Sequence, residues 1–293
     1  MHFLKSALLN AYYVGSQPIR WWNDRLARAD SRSPAIILFY HRVADEVLNE
    51  WSMTNEIFVR QIEWLEKRFE FVALEEAQRR IRSGINARPT VSITFDDGYA
   101  ENCQSAIPLL VKKRIPCTYF VSANNVLNDE PFGHDVVMGN RLPPNNLEQL
   151  LAMAEAGIES GAHCCNHVDL AQITDEKLLY DEIAGSGQVL QDAIKRPIRY
   201  FAFPFGQYVN LSARAFEIAR EVGYKGVCSA YGGYNFPGDD PFHLQRIHAD
   251  NDMISLKNRV TIDPRKINTL RYVYDRSTGN EENQCREVET KSA

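Results

Sequence analysis

From residue 35 onward, short apolar runs rich in β-branched and aromatic residues alternate with segments whose apolar positions recur every three or four residues. That alternation predicts a parallel sheet or barrel with crossover helices. The predicted strands are Ala35–His41, Thr90–Asp97, Cys117–Ala123, Ile158–His163, Arg199–Phe205, Lys225–Ala230 and His243–His248. Between them, Phe58, Gln61, Ile62 and Leu65 keep helical spacing. So do Ala106, Ile107, Leu110 and Val111, then Leu178, Leu179 and Ile183, then Ala215, Phe216 and Ala219. Pro108 falls in the first turns of its helix, where a missing N–H does least harm. The fold class that follows is α/β, a distorted (β/α) barrel of about seven parallel strands.

Residues 124–146 carry Asn, Pro and Gly with little periodicity and read as a long loop before a helix at Leu147–Ala156. Three regions result: an N-terminal helical extension (1–34), a catalytic barrel (35–262) and a polar C-terminal tail (263–293) that includes Glu281, Glu282, Asn283 and Gln284. The apolar run near the N-terminus is broken by Asn10 and followed by Gln17, Pro18 and Arg20, which argues against a secretory signal. Residues 3–28, with Trp21, Trp22, Arg20, Arg25 and Arg28, suit either an amphipathic helix at a membrane surface or one packed on the body of the domain. No stretch has the roughly 18–20 apolar residues that span a bilayer.

The 293 residues carry a formal net charge of −5, and Lys and Arg are dispersed along the chain, so nucleic acid is not an expected partner. Six cysteines (Cys103, Cys117, Cys164, Cys165, Cys228, Cys285) lack the density of a disulfide framework. Reduced thiols and a cytoplasmic location, peripheral to the inner membrane face if the N-terminal helix binds lipid, are the expectation.

The chemistry concentrates where Ser92-Ile93-Thr94-Phe95 runs into Asp96-Asp97-Gly98. Two carboxylates held close repel each other unless a cation or a shared proton relieves them. Gly161-Ala162-His163-Cys164-Cys165-Asn166-His167 adds two imidazoles four residues apart. Asp97 with His163 and His167 makes a two-imidazole, one-carboxylate set that leaves coordination positions open, as catalytic sites require. A structural Cys/His site using Cys164 and Cys165 is the competing reading, though it leaves the paired aspartates unexplained. His41, Asp96, Asp97, His163 and the Phe203-Pro204-Phe205-Gly206 run all fall at the C-terminal ends of predicted strands, which in a parallel barrel converge on one face.

In combination these segments resemble the polysaccharide deacetylases, carbohydrate esterase family four, over roughly residues 35–250. Thr94-Phe95-Asp96-Asp97-Gly98 is similar to the family's first motif, His163-Cys164-Cys165-Asn166-His167 to its second, and Arg199-Tyr200-Phe201-Ala202-Phe203-Pro204-Phe205-Gly206 to its third. Ile37-Leu38-Phe39-Tyr40-His41-Arg42-Val43 resembles the branch that contains the poly-N-acetylglucosamine deacetylases. The resemblance implies Asp96 as general base, Asp97, His163 and His167 as metal ligands, the Phe205 N–H as oxyanion donor and a protonated His41 as general acid. Three departures stand out: Cys164 where the family has Ser or Thr, Ala202 where it commonly has Arg, and no clear counterpart of the main branch's C-terminal histidine, which throws the acid role onto His41. Arg246, late on the last predicted strand, is the candidate replacement for that arginine, with an inter-strand ion pair as the alternative; His248 lies nearby.

The implied activity is metal-dependent removal of N-acetyl groups from amino sugars, with Zn2+ as the expected ion and Co2+ or Ni2+ also suited to the ligand set. The implied substrate is an N-acetylated glycan, a glycan precursor or a lipid-linked sugar. Tyr99, Tyr208, Tyr231 and Tyr234 are candidates for sugar stacking. Two other readings remain open from the sequence: a catalytically impaired carbohydrate-binding relative of the same fold, and a metal-dependent amidase acting on a non-sugar amide.

Overall fold

Ala35–Tyr40 (β1) and Thr90–Phe95 (β2) are buried at every position, as strands covered on both faces must be. They pair in parallel in a computed structural model that describes residues 2–267 and 269–274. The other strands are Cys117–Val121 (β3), Glu159–Ala162 (β4), Tyr200–Ala202 (β5), Gly226–Ser229 (β6), His243–Gln245 (β7) and Ile247–His248 (β8). Their order is β7-β6-β5-β4-β3-β2-β1-β8, every pairing is parallel, and Glu70–Phe71 adds a short strand on β2. Only Arg246 separates β7 from β8. One segment therefore pairs with β6 through its first half and with β1 through its second, so it brings the two ends of the sheet together into a nearly closed barrel. Each of the predicted strand segments is found.

Helices fill the crossovers, Asn55–Glu66, Leu74–Ser83, Ala106–Lys113, Leu147–Glu155, Glu176–Tyr180 continuing to Ile194 and Ala213–Glu221, and Met253–Val260 follows the last strand. The helix at Leu147 starts at a reciprocal cap, in which the Asn146 side chain accepts from the Gln149 N–H and the Gln149 side chain accepts from the Asn146 N–H. Strand alternation sorts the side chains. Ile36, Leu38, Tyr40, Ile93, Phe95, Tyr119 and Val121 face the helices in the main core. Ala35, Ile37, Phe120, Tyr200, Ala202, Cys228 and Leu244 form a second core with Leu74, Ala77 and Ile81. The inner phase runs on into Asp96, His41 and His163, which is why the polar residues emerge together at the strands' C-terminal ends.

Four expectations need correction. The strands stop short of the predicted ends, at Phe95 and Ala202, because Asp97 and Phe205 adopt positive φ and turn the chain out of the ladder. The predicted loop 124–146 contains short helices at Ala123–Asn128 and Gly133–Val137, and its Phe132 and Leu142 bury against Tyr99. The helix Leu74–Ser83 is missed by spacing because its inner face includes Gln78, whose amide donates to Lys225 O and Pro241 O. The predicted tail does not begin at 263: Asp263 is buried, and Tyr274 stacks on Phe216 at a 4.2 Å centroid distance. Residues 275–293, including Cys285 and the Glu281–Gln284 run, lie outside the described residues.

The N-terminal extension is two helices, His2–Gly15 and Gln17–Ala29, docked on Met253–Val260. Arg20, expected on a polar surface, is buried and donates to Asn258 O and Oδ1 and to Thr261. Tyr12 donates to Asp263 Oδ1 at 2.7 Å. The packed reading therefore holds for this face, while Ile19, Trp21, Trp22 and Leu26 stay exposed on the other.

Candidate active site

Strand β2 leads into a tight turn in which the Gly98 N–H donates to Asp96 O at 2.9 Å across Asp97, whose φ is 71°. That form of three-residue turn is rare and strained for a residue with a Cβ. It lets two successive carboxylates enter one cavity. Gly98 follows at φ 107°, where an added Cβ would lie 3.0 Å from Val121 and 3.1 Å from Val126, so glycine is required twice over. A second such turn ends β5, with the Gly206 N–H donating to Pro204 O at 2.6 Å about Phe205, φ 60°. Among the described residues nine non-glycines have positive φ, and four of them, Asp97, Cys164, His167 and Phe205, line this one site. Backbone strain gathers where function constrains geometry.

His163 and His167 approach the same oxygen of Asp97: Nε2 of His163 lies 3.4 Å from Oδ1 and Nε2 of His167 lies 3.1 Å from it. The His163 ring is oriented by Nδ1–H donating to Ala202 O at 2.8 Å, which leaves the Nε2 lone pair directed at Asp97. These two separations are close to the edge, about 3.3 Å, of a tetrahedron with metal–ligand bonds of about 2.0–2.1 Å, and all three ligand atoms lie within 4.8 Å of one another. Asp97 Oδ1 is buried and accepts no hydrogen bond of good geometry. Burial alone pushes the Asp97 carboxyl up, yet the facing His167 and His163 more than offset it and hold it well below the usual range. A buried anion facing two imidazoles has room for one positive charge, and a divalent ion fits the donor set.

The histidines sit on a loop, not a helical turn: Cys164 has φ 63° and His167 φ 51°. Its carbonyls are tied to the segment after β3, with the Ala123 N–H donating to Cys164 O at 3.0 Å and the Asn124 N–H to Cys165 O at 2.9 Å. Ser122 serves both segments that supply this cluster, its N–H donating to Asp97 O at 3.0 Å and its hydroxyl to His163 O at 3.1 Å. Cys164 is buried and its thiol is pushed well up by burial, and Cys165 donates to Asp181 O, so neither is a thiolate ligand. The Cys/His reading has no support among the described residues.

Asp96 is clamped by Arg246, which donates through Nη1 to Oδ1 at 2.6 Å and through Nη2 to Oδ2 at 2.8 Å. Arg246 is fully buried, also donates to Thr94 Oγ1 and Ser229 O, and lies between the rings of Phe39 and Phe120 at 4.8 and 5.3 Å. It occupies the single residue where the closing segment changes ladders, which frees its side chain for the lumen. Burial pushes Asp96 up, but Arg246 outweighs it, so the carboxyl titrates below its ordinary range and is ionised near neutrality.

His41 follows β1 in a crevice with Trp51 and His248, at ring distances of 5.1 and 5.7 Å. Its Nδ1 is buried without a hydrogen-bond partner. Burial lowers its pKa to about 4 despite the nearby Asp97 and Asp96, so the resting ring is neutral, in contrast to the protonated acid expected from the sequence. His248 is held by Asp250 at 2.8 Å, and Asp250 by Arg259 at 2.7 Å. The Phe205 N–H has no acceptor among the described residues, and its half-exposed ring lies 5.2 Å from that of His167.

Two of the four tyrosines picked for sugar stacking are not in the groove. Tyr99 is buried and donates to Asp135 at 2.7 Å, and Tyr234 is buried with its hydroxyl donating to Arg259 O. Tyr208 is exposed and Tyr231 half-buried beside it at 5.8 Å. Sequence reasoning missed Trp51, Ser122, Glu182 and His134, whose ring stands 5.5 Å from that of His167. None of these falls in a recognisable motif, although Ser122 and Trp51 each lie within two residues of a strand end.

The sequence profile described as polysaccharide deacetylase matches residues 83–227. YxkH of Bacillus subtilis, a protein named as a polysaccharide deacetylase, is 25% identical over 193 residues; the match covers 64% of this chain and spans 62% of YxkH. A poly-beta-1,6-N-acetyl-D-glucosamine N-deacetylase of Staphylococcus aureus is 23% identical over 259 residues, 78% of this chain and 86% of that protein. Among solved structures, IcaB from Ammonifex degensii superposes with a TM-score of 0.66 at 24% identity, covering 78% of this chain and 97% of IcaB. The Streptococcus pyogenes deacetylase PplD in complex with acetate gives 0.65 at 20%, covering 78% and 99%. Both share the barrel fold. Residues 83–227 form a polysaccharide deacetylase domain.

Proposed function

We propose that this protein is a metal-dependent hydrolase that removes N-acetyl groups from the amino sugars of a glycan or glycan precursor. The observation that carries the proposal is the meeting of Asp97, His163 and His167 around one oxygen, beside a second aspartate held ionised by Arg246. Those three side chains would hold the ion, with Zn2+ the first choice. A divalent ion there supplies Lewis acidity, polarising the acetyl carbonyl and lowering the pKa of water.

Asp96, as the ionised neighbour, accepts the proton of the attacking water. Its low basicity makes it a weak base, suited to a water whose pKa a bound ion would lower. The Phe205 N–H, turned out of the ladder by its positive φ, donates to the oxygen on which charge develops. His41 begins neutral; negative charge gathering on the substrate opposes the burial penalty, so the partly exposed ring takes a proton from solvent and passes it to the departing amine. The exposed Trp51 beside His41 and the exposed Phe205 beside His167 offer apolar faces for a sugar ring on either side.

The reading of an impaired relative loses its main motive, because the base has its arginine in Arg246 and the position of the missing one, Ala202, orients His163 through its carbonyl. Acetate release from chitooligosaccharides and from a poly-N-acetylglucosamine, with and without chelator, tests the proposal. Activity that is abolished by chelation and by Asp96→Asn supports it; saturable binding without acetate from any acetylated sugar overturns it. Peripheral membrane contact belongs to the same proposal: Ile19, Trp22 and Leu26 form an exposed stripe on Gln17–Ala29, with Trp21, Arg25 and Arg28 beside it. Flotation with anionic vesicles checks it, and Trp22→Ala with Leu26→Ala should release the protein.

A further inference from the structure

The helix that begins at Glu176 is interrupted at Asp181–Gly185 by one π turn before it resumes at Ser186–Ile194. Such bulges cost helix hydrogen bonds and recur where a side chain must be aimed. Here Glu182 is the residue aimed. It is buried to 3% exposure and lies among the described side chains without an arginine, lysine or histidine paired to it. Among the described residues its carboxyl oxygens meet N–H donors alone. Oε2 accepts from the Cys165 N–H at 2.9 Å and the Asn166 N–H at 3.0 Å, and Oε1 accepts from Asn166 Nδ2 at 2.5 Å.

Those donors belong to the loop between His163 and His167. The bulge meets that loop at a second point, since the Cys165 thiol donates to the carbonyl of Asp181 at 3.5 Å. A second carbonyl of the π turn, Ile183 O, accepts from the hydroxyls of Tyr224 at 2.8 Å and Ser186 at 2.9 Å. The bulge is thus a fitted seat. On its opposite side the loop's carbonyls are held by Ala123 and Asn124, and Asn124 Nδ2 donates to Asn166 Oδ1 at 2.7 Å. A segment with Cys164 and His167 in the left-handed region would not otherwise keep both imidazoles on one oxygen of Asp97.

We infer that Glu182 is the positioning residue of this centre: its buried carboxylate fixes the loop and so sets the affinity for the divalent ion. The inference rests on the metal-dependent reading above. Glu182 touches neither ion nor substrate; it acts through the backbone between the two ligands. Groups that orient metal ligands in this way are typically worth about 10- to 100-fold in affinity or activity.

The test is titration of wild type, Glu182→Ala and Glu182→Gln with Zn2+ against a competing chelator, together with the visible spectrum of the Co2+-loaded protein and the melting temperature of the metal-free protein. Glu182→Ala strips the acceptor from three donors and should weaken Zn2+ binding by about 10- to 100-fold with an altered Co2+ spectrum. Glu182→Gln keeps one acceptor oxygen but faces the Asn166 amide with its own N–H, so it should fall between and remain measurable if the alanine variant does not fold. A purely structural role would lower the metal-free melting temperature and leave the dissociation constant and spectrum unchanged; that result overturns the inference. Wild type that fails to bind Zn2+ overturns the metal-dependent reading and the inference with it, whereas tight wild-type binding matched by both variants removes Glu182 alone.

Discussion

Replacing Arg246 by methionine removes the partner of Asp96 while keeping a stem of similar length between Phe39 and Phe120. The carboxylate would then be left at 2% exposure with no countercharge in hydrogen-bond reach. Breaking a buried ion pair from one side costs about 3–5 kcal/mol, because the remaining charge stays desolvated. Against a total stability of about 5–15 kcal/mol the variant should fold, but with a much lower denaturant midpoint. The sign of its pH dependence should also reverse. In wild type the Asp96 carboxyl sits below its ordinary range, so its contribution is present above that range and is lost as pH falls through the folded-state value. Without Arg246 burial dominates, the protonated form is favoured, and the site becomes more stable as pH falls.

Activity follows the same balance. Each 1.36 kcal/mol displaces a titration by one pH unit. Even if relaxation recovers half of the loss, the acid limb of the pH–rate profile should rise by about one unit or more. Acetate release measured from pH 4 to 9 reads it directly, with kcat/KM reduced near pH 6 and partly regained in alkali. Arg246→Lys keeps the charge but gives up the two-point clamp and should lie between. An Arg246→Met protein with an unmoved acid limb and a denaturant midpoint close to wild type would refute the idea that this arginine keeps the base ionised.

Other outcomes are equally specific. His243, buried with its pKa lowered to about 4 by desolvation and bonded to Ser229 at 2.8 Å, makes stability fall as pH drops from about 6.5 toward 4; at pH 5 the cost is about 2 kcal/mol, and His243→Gln should flatten that slope in urea titrations. Gly161→Ala would place a Cβ 2.4 Å from the ring of Phe120, which backs Arg246, so it should cost about 1–3 kcal/mol and lower activity more than a surface substitution does. Trp51→Ala should raise KM for an oligosaccharide several-fold while leaving Zn2+ affinity unchanged, since the ring flanks His41 and makes no contact with the three ligands.

Much of the fold is legible in the chain because strand and helix periods differ and the strands are short and fully buried. What periodicity cannot show is where a strand gives way to a strained turn. Asp97 and Phe205 look like the ends of apolar runs, yet their positive φ is what turns their groups into the site. The ligand set is visible because carboxylate and imidazole are distinctive residue types at close spacing. Its supports are not: Glu182 reads as one acid on an amphipathic helix, and only the π turn shows that it points inward. The neutral state of His41 is likewise a property of burial by residues from Trp51 to His248, far apart in sequence. Arg246 is the intermediate case, legible as a charge in an apolar strand and explained only by the barrel's closure there.

The proposed hydrolysis requires Asp97, His163 and His167 to hold one divalent ion beside an ionised Asp96. Anomalous diffraction from crystals grown with Zn2+, recorded at its absorption edge, tests this most directly. The account predicts one peak per chain, about 2.0–2.2 Å from a carboxylate oxygen of Asp97 and from Nε2 of both histidines, and absent in Asp97→Asn. A peak at the cysteines, or an empty cluster in a crystal soaked with Zn2+, would contradict it.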